Sequence, residues 1–494
     1  MIVSFNLHSD SSIPLYQQLA GEITSMIETG SLTPGSRLPS SRELAGRLGV
    51  SRTTVARAYG RLAKRGLIVK KSCSGNYVKG AVDTYRPNTI LPGLPPDSVA
   101  QPPDPAGPCL SRAGKRMMSE DLGREIDAEI GEKSDCLCPA GPTLSNQLWI
   151  QSTSRVMEKS GSLLSARPTD PRGLIELRVA LSFHLRRSRS VAAPPESIVV
   201  FSSSQIALDC LVRLILDEGE TAIVEDPGFP GFRRSVLANA GLIEGIPVDA
   251  LGINTSLLNG RAARLAYVTP SHQSPRGVAL SDQRRKELLI WATKNDAFVI
   301  EDDFGSEPSY AQRPQPPLKS IDSGDRVIFV SSFWSFLFPL TRIAYAIAPG
   351  GLLEPVRRIK EITDRNVPLL EQLVLADLLD RGILDAHICR TRREYRTARS
   401  DLIRALNQSC SSIARISPSS SGLNLLITVS DSIAPERVLT EAERLQLPMV
   451  PTTPFYIGEG PRNEFLFSFA DLSSQVMEQR LSELGSRLKS QGRS

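Results

Sequence analysis

Short apolar runs alternate with amphipathic helical patterns throughout the part of the chain that follows Gly173. The runs cover residues 197–201, 221–224, 263–268, 297–300 and 327–330. Short buried strands separated by helices are typical of a mostly parallel sheet. The alternation therefore predicts a large α/β domain, in which ligands bind at the carboxyl ends of the strands.

The length of the chain, 494 residues, is too great for a single hydrophobic core. Prolines and short polar residues fill residues 85–108, where they exclude regular helix and favour an extended tether. Short helices are expected near 121–130 and 146–159. The predicted parts are a small domain over 12–80, a linker and connecting segment over 81–165, and the large domain over 166–490.

Composition restricts the class of protein. Hydrophobic residues make up 40% of the chain and charged residues 22%, which is typical of a globular protein. No run approaches the roughly 18 apolar residues of a membrane span, and residues 1–10 lack the pattern of a signal peptide. The seven cysteines show no paired metal spacing, so neither disulfides nor a metal site is expected. These features predict a cytoplasmic protein with no membrane partner.

Positive charge is concentrated in one short block. Between Arg37 and Lys79 there are eleven basic residues and one acid, Glu43, so this block carries +10 while the whole chain carries +5. A cationic block attached to a slightly acidic chain is typical of a nucleic-acid-binding module. A solvated basic face would give the same count, so the local pattern has to decide between the two interpretations.

That local pattern predicts a helix-turn-helix. Apolar residues at helical spacing predict a first helix over 14–29. Ser40, with Glu43 three residues later, forms a capping box that opens a second helix. Gly49 breaks the chain, and Ser51 caps a third helix. The inner stripe of this third helix consists of Val55, Ala58, Tyr59 and Leu62.

The outer side of the third helix suits a major groove, because arginine can bind a guanine edge and threonine can contact thymine or phosphate. Residues 67–78 predict a two-stranded hairpin, or wing, whose lysines can lie on the DNA backbone. The candidate DNA contacts are Arg42, Ser51, Arg52, Thr53, Thr54, Arg57, Lys70 and Lys71. Residues 13–79, with the stretches PGSRLPSSRELAGRLGVSRTTV and SGNYV, closely resemble the winged helix of GntR-family bacterial regulators. The resemblance implies binding to a double-stranded DNA operator.

The loops that follow the apolar runs are rich in polar and turn-forming residues. SSSQ (202–205) opens a helix whose N–H groups could hold a phosphate, although ordinary capping explains it equally well. EDPGFPG (225–231) and TPSHQSPRG (269–277) are by themselves turn signals. Asp302 follows a buried strand, where it caps a helix or pairs with a protonated ring nitrogen. Arg342 lies in an apolar stretch, where an unpaired guanidinium would be costly and a phosphate would satisfy it.

Taken in this order, the motifs resemble fold-type I aminotransferase-like domains that bind pyridoxal phosphate. A GntR winged helix joined to such a domain is similar to the MocR subfamily of regulators, and the similarity is weakest over residues 85–165. It implies that Ser204 and Gln205 cradle the cofactor phosphate. Arg342 would pair with the same phosphate, and Asp302 would hold the pyridine nitrogen. The candidate ligand-binding residues are Ser204, Gln205, Phe229, His272, Asp302, Phe304 and Arg342.

The chain departs from the pattern of this family at the residue that catalysis needs most. Family members carry a lysine about seven residues before the arginine, and its amine forms a Schiff base with the cofactor. Here Ser335 occupies that position, and no lysine lies between residues 319 and 360. Phe304 and Pro168 stand where the family has cofactor-binding tyrosines, and Arg462 is out of phase with the family's substrate-binding arginine.

These departures favour a transcription regulator over an enzyme. Loss of the lysine removes the covalent anchor and the α-proton shuttle, and general acid–base catalysis alone contributes about 10²- to 10⁴-fold. The leading hypothesis is a DNA-binding regulator whose aminotransferase-like domain is inactive and serves dimerisation and effector sensing; an aminotransferase with residual activity is the alternative. The cleft would hold pyridoxal phosphate non-covalently, another small anionic metabolite, or no ligand. A homodimer would present two winged helices to repeated or palindromic half-sites.

Overall fold

The computed structural model describes residues 14–28, 32, 36, 38–71, 75–78, 110–118, 144–164, 170–303, 315–417, 419, 421–469 and 474–489. The predicted tether and the predicted helix near 121–130 lie outside these residues. The chain divides into two compact units, Met1–Pro108 and Cys109–Ser494. Within the described residues, no helix combines the length and the apolar character needed to cross a membrane.

The N-terminal unit is a winged helix, as predicted. Its elements are α1 (Leu15–Glu28), α2 (Ser41–Leu48), α3 (Arg52–Lys64) and the antiparallel pair β1 (Ile68–Lys71) and β2 (Gly75–Val78). The Ser40 hydroxyl accepts a hydrogen bond from the Glu43 amide at 3.1 Å, and the Ser51 hydroxyl accepts one from the Thr54 amide at 3.1 Å. Gly49 ends α2 with a left-handed φ of 65°. The predicted inner stripe of α3 is buried: Val55, Ala58, Tyr59 and Leu62.

The C-terminal unit is built on an eight-stranded, mostly parallel sheet. The strands are β3 (Ile198–Phe201), β4 (Thr221–Asp226), β5 (Leu242–Asp249), β6 (Gly252–Ile253), β7 (Leu265–Val268), β8 (Phe298–Asp302), β9 (Val327–Ser332) and β10 (Ala344–Ile347). Their spatial order is β3-β10-β9-β8-β7-β4-β5-β6. The five predicted runs are all strands of this sheet, and the four neighbours β9, β8, β7 and β4 pair in parallel. The predicted α/β fold is confirmed.

Helices cover the sheet on both faces. Ile198 and Val200 of β3 pack into one core cluster, whereas the alternate residues Val199 and Phe201 pack into another. The helices are α4 (Arg112–Met117), α5 (Asn146–Leu164), α6 (Ile175–Ser188), α7 (Ser204–Ile215), α8 (Pro230–Ala238), α9 (Asp282–Lys294), α10 (Leu318–Ile321), α11 (Trp334–Leu337), α12 (Leu353–Thr363), α13 (Leu369–Asp380), α14 (Ile383–Cys410), α15 (Pro435–Arg444) and α16 (Ser474–Lys489).

A second sheet in the same unit was not predicted. It consists of β11 (Ala414–Ile416), β12 (Asn424–Val429), β13 (Met449–Pro451) and β14 (Glu464–Ser468), and all of its strand pairs are antiparallel. The 28-residue helix α14 leads into this sheet, contacts α11 and packs along α16. The long helix therefore links the second sheet to the loops at the edge of the first.

We expect Gly485→Ala to weaken the packing of α14 on α16. A Cβ atom added at Gly485 would lie 2.4 Å from the carbonyl oxygen of Ser409, closer than carbon and oxygen atoms approach. The helices must then move apart, which should lower the free energy of unfolding by about 1–3 kcal/mol. Gly351→Ala is the matched control, since no atom lies within 4 Å of its added Cβ. Urea unfolding measures both variants, and equal stabilities would contradict the prediction.

Candidate functional site

The first candidate site is the outer side of α3. Of the predicted DNA contacts, those with exposed side chains are Arg42, Ser51, Arg52, Thr53 and Arg57. Thr54 is half-buried, and its hydroxyl lies 2.8 Å from the Ser51 hydroxyl that caps the helix. An exposed helix N-terminus with arginine and threonine side chains is the geometry with which a recognition helix enters a major groove.

Contacts within the winged helix hold α3 in place and leave its cations available. The buried Tyr59 donates a hydrogen bond from its hydroxyl to the Pro39 carbonyl at 2.8 Å, which ties α3 to the start of α2. Glu43, the acid of the basic block, pairs with Arg47 of α2 at 2.8 Å. Lys70 and Lys71 lie on β1, and their side chains are outside the described part of the chain.

The second candidate site is the carboxyl edge of the eight-stranded sheet. Parallel strands end at one edge, so the loops after β3, β4, β7, β8 and β9 open side by side. β10 is antiparallel and enters the sheet from this edge; its residue Ala344 pairs with Phe201 and with Ser332, the last residues of β3 and β9. We call residues 202–205, 227–231, 269–277, 302–303 and 333–342 at this edge the candidate cleft.

Asp302 is the best-defined polar group of the candidate cleft. It ends β8, is only 6% exposed, and accepts a hydrogen bond at Oδ2 from the Tyr267 hydroxyl at 2.8 Å. Tyr267 lies on the neighbouring β7 and stacks on Phe232, with ring centroids 4.2 Å apart. Burial, with the nearby Asp302, raises the pKa of Tyr267 well above its ordinary value, so the hydroxyl remains a donor. This donor orients the carboxylate that would pair with a protonated ring nitrogen.

Tyr267 was not predicted as a site residue. It lies in the run 263–268, whose apolar character indicates a buried strand and nothing more. The need of a buried tyrosine hydroxyl for a partner is the signal that could have found it. Tyr267 also brings the predicted Phe229 to the site, because their ring centroids lie 6.4 Å apart. The half-buried Phe229 ring therefore lies beside Tyr267, whose hydroxyl contacts Asp302.

The serine loop, residues 202–205, opens α7. Ser203 is the N-cap, and Ser204 is the first residue of the helix. The side-chain amide of Gln205 donates to the Gly231 carbonyl and the Ser235 hydroxyl, both at 2.9 Å. Gln205 therefore ties the serine loop to α8, and the part suited to a phosphate is the set of backbone N–H groups at the positive end of the α7 dipole.

A buried ion pair supports the serine loop. Asp364 accepts hydrogen bonds at Oδ2 from the amide and hydroxyl of Ser202, at 3.4 and 3.3 Å. Its Oδ1 lies 2.5 Å from Nζ of Lys360, whose side chain is fully buried with the ammonium 5.3 Å from the centre of the Phe201 ring. Neither member of the pair was predicted, although a lysine and an aspartate four residues apart are a signal for such a contact.

Ser335, which the resemblance predicts to stand at the position of the family's lysine, is 7% exposed within α11. Its carbonyl accepts a hydrogen bond from the Tyr395 hydroxyl at 3.4 Å, and the carbonyl of Phe336 lies 3.0 Å from Nε2 of His387. Tyr395 and His387 both belong to α14, so the long helix holds this segment in place. The segment is well anchored but offers a hydroxyl where covalent cofactor chemistry needs an amine.

The exposure of the Arg342 side chain differs from the prediction. The apolar stretch predicted a buried guanidinium in need of an anion, but Arg342 is exposed while its neighbours Thr341 and Ile343 are buried. The side chains alternate between core and solvent here, so water satisfies the guanidinium and the desolvation argument for a phosphate does not apply. Arg342 keeps its place beside the serine loop, where an anion could reach it. Phe304 and Pro168 lie outside the described residues.

His272 connects the candidate cleft to the second sheet. Its Nδ1 lies 2.9 Å from the Ser421 hydroxyl, and its ring packs so closely on Gly422 that an added Cβ there would lie 2.2 Å from Nε2. Burial lowers the pKa of His272 to about 4, so the ring is neutral near pH 7. Its contacts hold the loop over residues 269–277 in place, and the neutral ring presents no charge to a ligand.

The candidate cleft fits pyridoxal phosphate in part. Asp302 offers a carboxylate for the ring nitrogen, Phe229 offers an aromatic face, and the N-terminus of α7 offers N–H groups for the phosphate. Covalent attachment at Ser335 does not fit, because the residue has no amine. No group of histidine, cysteine and carboxylate side chains suited to a metal ion occurs in the part of the chain that the structure describes.

Comparison with known proteins assigns both units to families. Residues 15–78 match the bacterial regulatory proteins of the gntR family, and residues 149–483 match aminotransferase class I and II. The uncharacterized HTH-type transcriptional regulator YdeL of Bacillus subtilis (strain 168) is 30% identical, over 97% of this chain and 97% of its own. The probable rhizopine catabolism regulatory protein MocR of Rhizobium meliloti is 28% identical, over 97% and 95%. An archaeal alanine:glyoxylate aminotransferase is 25% identical, with a TM-score of 0.70 over 77% of this chain and 98% of its own.

We expect His272→Gln to change how stability depends on pH. The unfolded chain protonates this histidine below its ordinary pKa of 6.5, whereas the folded chain resists protonation until its lowered pKa of about 4. The stabilisation is therefore complete above pH 6.5 and decreases as the pH falls, by about 2 kcal/mol at pH 5. Glutamine does not titrate, so the free energy of unfolding of the wild type relative to the variant should fall by this amount between pH 7.5 and pH 5.

Urea unfolding of both proteins at the two pH values measures this difference. Burial raises the pKa of Glu225 and that of Glu301 to about 7, and these carboxyls change stability in the opposite direction over the same range. Their effect is shared by the two proteins and cancels in the comparison. The same difference at both pH values would contradict the prediction.

Proposed function

This chain belongs to the MocR-type regulators, which join a gntR-family DNA-binding domain to an aminotransferase class I and II domain, and we propose that it regulates transcription by sensing a small ligand without catalysing amino-group transfer. The observation that carries the proposal is the exposed cationic outer side of α3. The expected place of Ser335 at the position of the family's lysine supports the part of the proposal that concerns catalysis. The names of the relatives, which describe regulators, support it.

The winged helix supplies the DNA contact. Arg52, Thr53 and Arg57 would enter the major groove, while Arg42 and the wing would lie on the phosphate backbone. We place two winged helices in one homodimer, so that the protein binds a repeated or palindromic operator with a spacing limited by the tether. Such a protein acts at its operator, on the bacterial nucleoid in the cytoplasm.

The candidate cleft would hold the effector. Non-covalent pyridoxal phosphate is the ligand that its residues fit best: Asp302 would hold the ring nitrogen, and the N-terminus of α7, with Arg342, would hold the phosphate. Another small anionic metabolite is the alternative occupant. The ligand would alter regulation only by binding one arrangement of the protein more tightly than another.

The residues of the candidate cleft do not support catalysis of amino-group transfer. When bound to a catalytic lysine, pyridoxal phosphate stabilises negative charge on the substrate carbon; without that amine, the protein has no group at this position to hold the cofactor covalently or to move the α-proton. Ser335 cannot take either role, because its hydroxyl is a much weaker base than an amine. The buried Lys360 is already engaged by Asp364.

We expect Arg52→Ala and Arg57→Ala to weaken operator binding. Loss of an arginine that contacts a base should reduce affinity by about 5- to 150-fold, and loss of one that contacts phosphate should lower the salt slope by about 1. The measurement is fluorescence anisotropy at several salt concentrations, with a duplex selected for binding to the full chain. Lys294→Ala, which removes an exposed cation at the end of α9, is the control and should leave affinity unchanged. Unaltered binding by both arginine variants would remove α3 from the contact.

We expect pyridoxal phosphate to bind saturably to the full chain without a covalent adduct. Titration calorimetry measures the binding, and borohydride reduction followed by mass spectrometry detects any adduct. Ser335→Lys should restore a trapped adduct at residue 335, since Tyr395 and His387 already hold the backbone of this segment. A wild-type adduct at Lys360 would contradict the proposal and favour the enzyme, and the variant Lys360→Met would show whether that lysine is responsible.

A further inference from the structure

His184, which is not one of the residues of the candidate cleft, lies between a hydroxyl and a carboxylate. Its Nε2 lies 3.2 Å from the hydroxyl oxygen of Ser188, and its Nδ1 lies 3.0 Å from Oδ1 of Asp385. His184 and Ser188 lie four residues apart on α6, and Asp385 lies in the first turn of α14. A hydroxyl on Nε2 and a carboxylate on Nδ1 are the contacts that activate a serine as a nucleophile.

The carboxylate determines which nitrogen of the neutral ring carries the proton. The hydrogen bond with His184 lowers the pKa of Asp385 below its ordinary value, so this carboxyl is ionised near pH 7 and can only accept hydrogen bonds. Nδ1 must therefore be the donor, which leaves a lone pair on Nε2 of the neutral ring. The Ser188 hydroxyl donates to that lone pair, as a general base requires.

The fold holds the imidazole in this orientation. His184 is 2% exposed, and its ring packs edge to face on the Phe333 ring with the centroids 5.2 Å apart. Arg187 pairs with Oδ2 of Asp385 and leaves Oδ1 to the histidine. Ser188, in contrast, is exposed. A molecule in solution can therefore reach the serine, while the base behind it is fixed and shielded from water.

Serines at other exposed helix positions use their hydroxyls to bond their own helix. The hydroxyls of Ser400 in α14 and Ser486 in α16 donate to the backbone carbonyls four residues earlier, each at 2.9 Å. This back-bonding is ordinary for a helical serine. Ser188 has the imidazole of His184 at the same spacing, so its contact differs from that of a merely structural serine.

The other histidines that the structure describes lack this combination of contacts. His272 contacts the Ser421 hydroxyl through Nδ1, and His387 contacts the Phe336 carbonyl through Nε2. Among the described residues, neither ring has a hydrogen bond to a carboxylate. The arrangement around His184 is therefore distinct in this part of the chain.

We propose that Ser188 is a nucleophilic serine that takes the acyl group of an activated ester, with His184 as its general base and Asp385 as the positioning residue. The Ser188 oxygen forms a bond to the carbonyl carbon, and its proton passes to Nε2 of His184. The bond to the leaving oxygen then breaks, and that oxygen takes the proton from Nε2. Water attacks the acyl-serine in the same way, which releases the carboxylic acid and restores the hydroxyl.

Activated esters are the class of substrate because Ser188 ends a helix. The carboxyl end of a helix presents carbonyl oxygens and the negative end of its dipole, so the helix backbone cannot stabilise an oxyanion there. An ester with a good leaving group needs less of that stabilisation than an amide does. The site should therefore react with aryl esters and phosphonyl fluorides and leave peptide bonds intact.

A phosphonyl fluoride probe tests the nucleophile. Its phosphorus forms a bond to an activated serine oxygen, and fluoride leaves. The full chain is incubated with the probe, and mass spectrometry of its peptides locates the adduct and measures its rate of formation. We expect one adduct, at Ser188, that is lost when the wild type is unfolded in urea, because unfolding separates Asp385 and His184. This comparison does not depend on the folding of any variant.

The variants assign the roles. Ser188→Ala should abolish the adduct, whereas Ser400→Ala, which removes an exposed serine bonded to its own helix, should leave labelling unchanged. His184→Gln should slow labelling by about 100-fold or more, as for loss of a general base. Asp385→Asn should also slow it, and Asp385→Glu should recover part of the rate, because glutamate restores the negative charge beside the ring.

Two results would overturn the inference. The first is the absence of an adduct at Ser188 in the folded wild type, under conditions in which a serine esterase is fully labelled. The contact of His184 with Asp385 would then only join α6 to α14. The second is an adduct at Ser188 that forms at the wild-type rate in His184→Gln or in urea.

Discussion

The parallel pairing of β4, β7, β8 and β9 is the constraint on which the ligand-binding part of the molecule depends. Side-by-side parallel strands deliver their following loops to one edge, whatever the sequence distance between them. Asp302 and the segment that begins at Phe333 come to the same edge in this way, because Asp302 pairs in register with Val330 on the next strand. The antiparallel β10 completes the edge by entering from it, which brings Arg342 to the serine loop.

The polar groups at this edge are held mainly by the protein itself. The carboxylate of Asp302 is oriented by Tyr267, and that of Asp364 by Lys360 and Ser202. A buried carboxylate without such partners would be costly, so these contacts stabilise the two carboxylates at the edge of the sheet.

Local signals account for most of what the sequence predicted. The caps at Ser40 and Ser51 and the inner stripe of α3 depend on contacts within a few residues, and the structure confirms them. Strand β5 was missed because only two of its eight residues are buried, so no continuous apolar run marks it. The second sheet was missed for a different reason: β11 and β13 have only three residues each, and β11 has no fully buried residue.

Contacts between side chains on neighbouring strands could not be predicted from the sequence. The pairing of Tyr267 with Asp302 depends on the order of β7 and β8, and the exposure of Arg342 depends on which way the chain turns before β10.

The most direct test of a regulatory protein is selection of bound fragments from a random duplex library by the full chain, followed by sequencing. The account predicts enrichment of a repeated or palindromic half-site that resists non-specific competitor DNA. Recovery of no common sequence would contradict it.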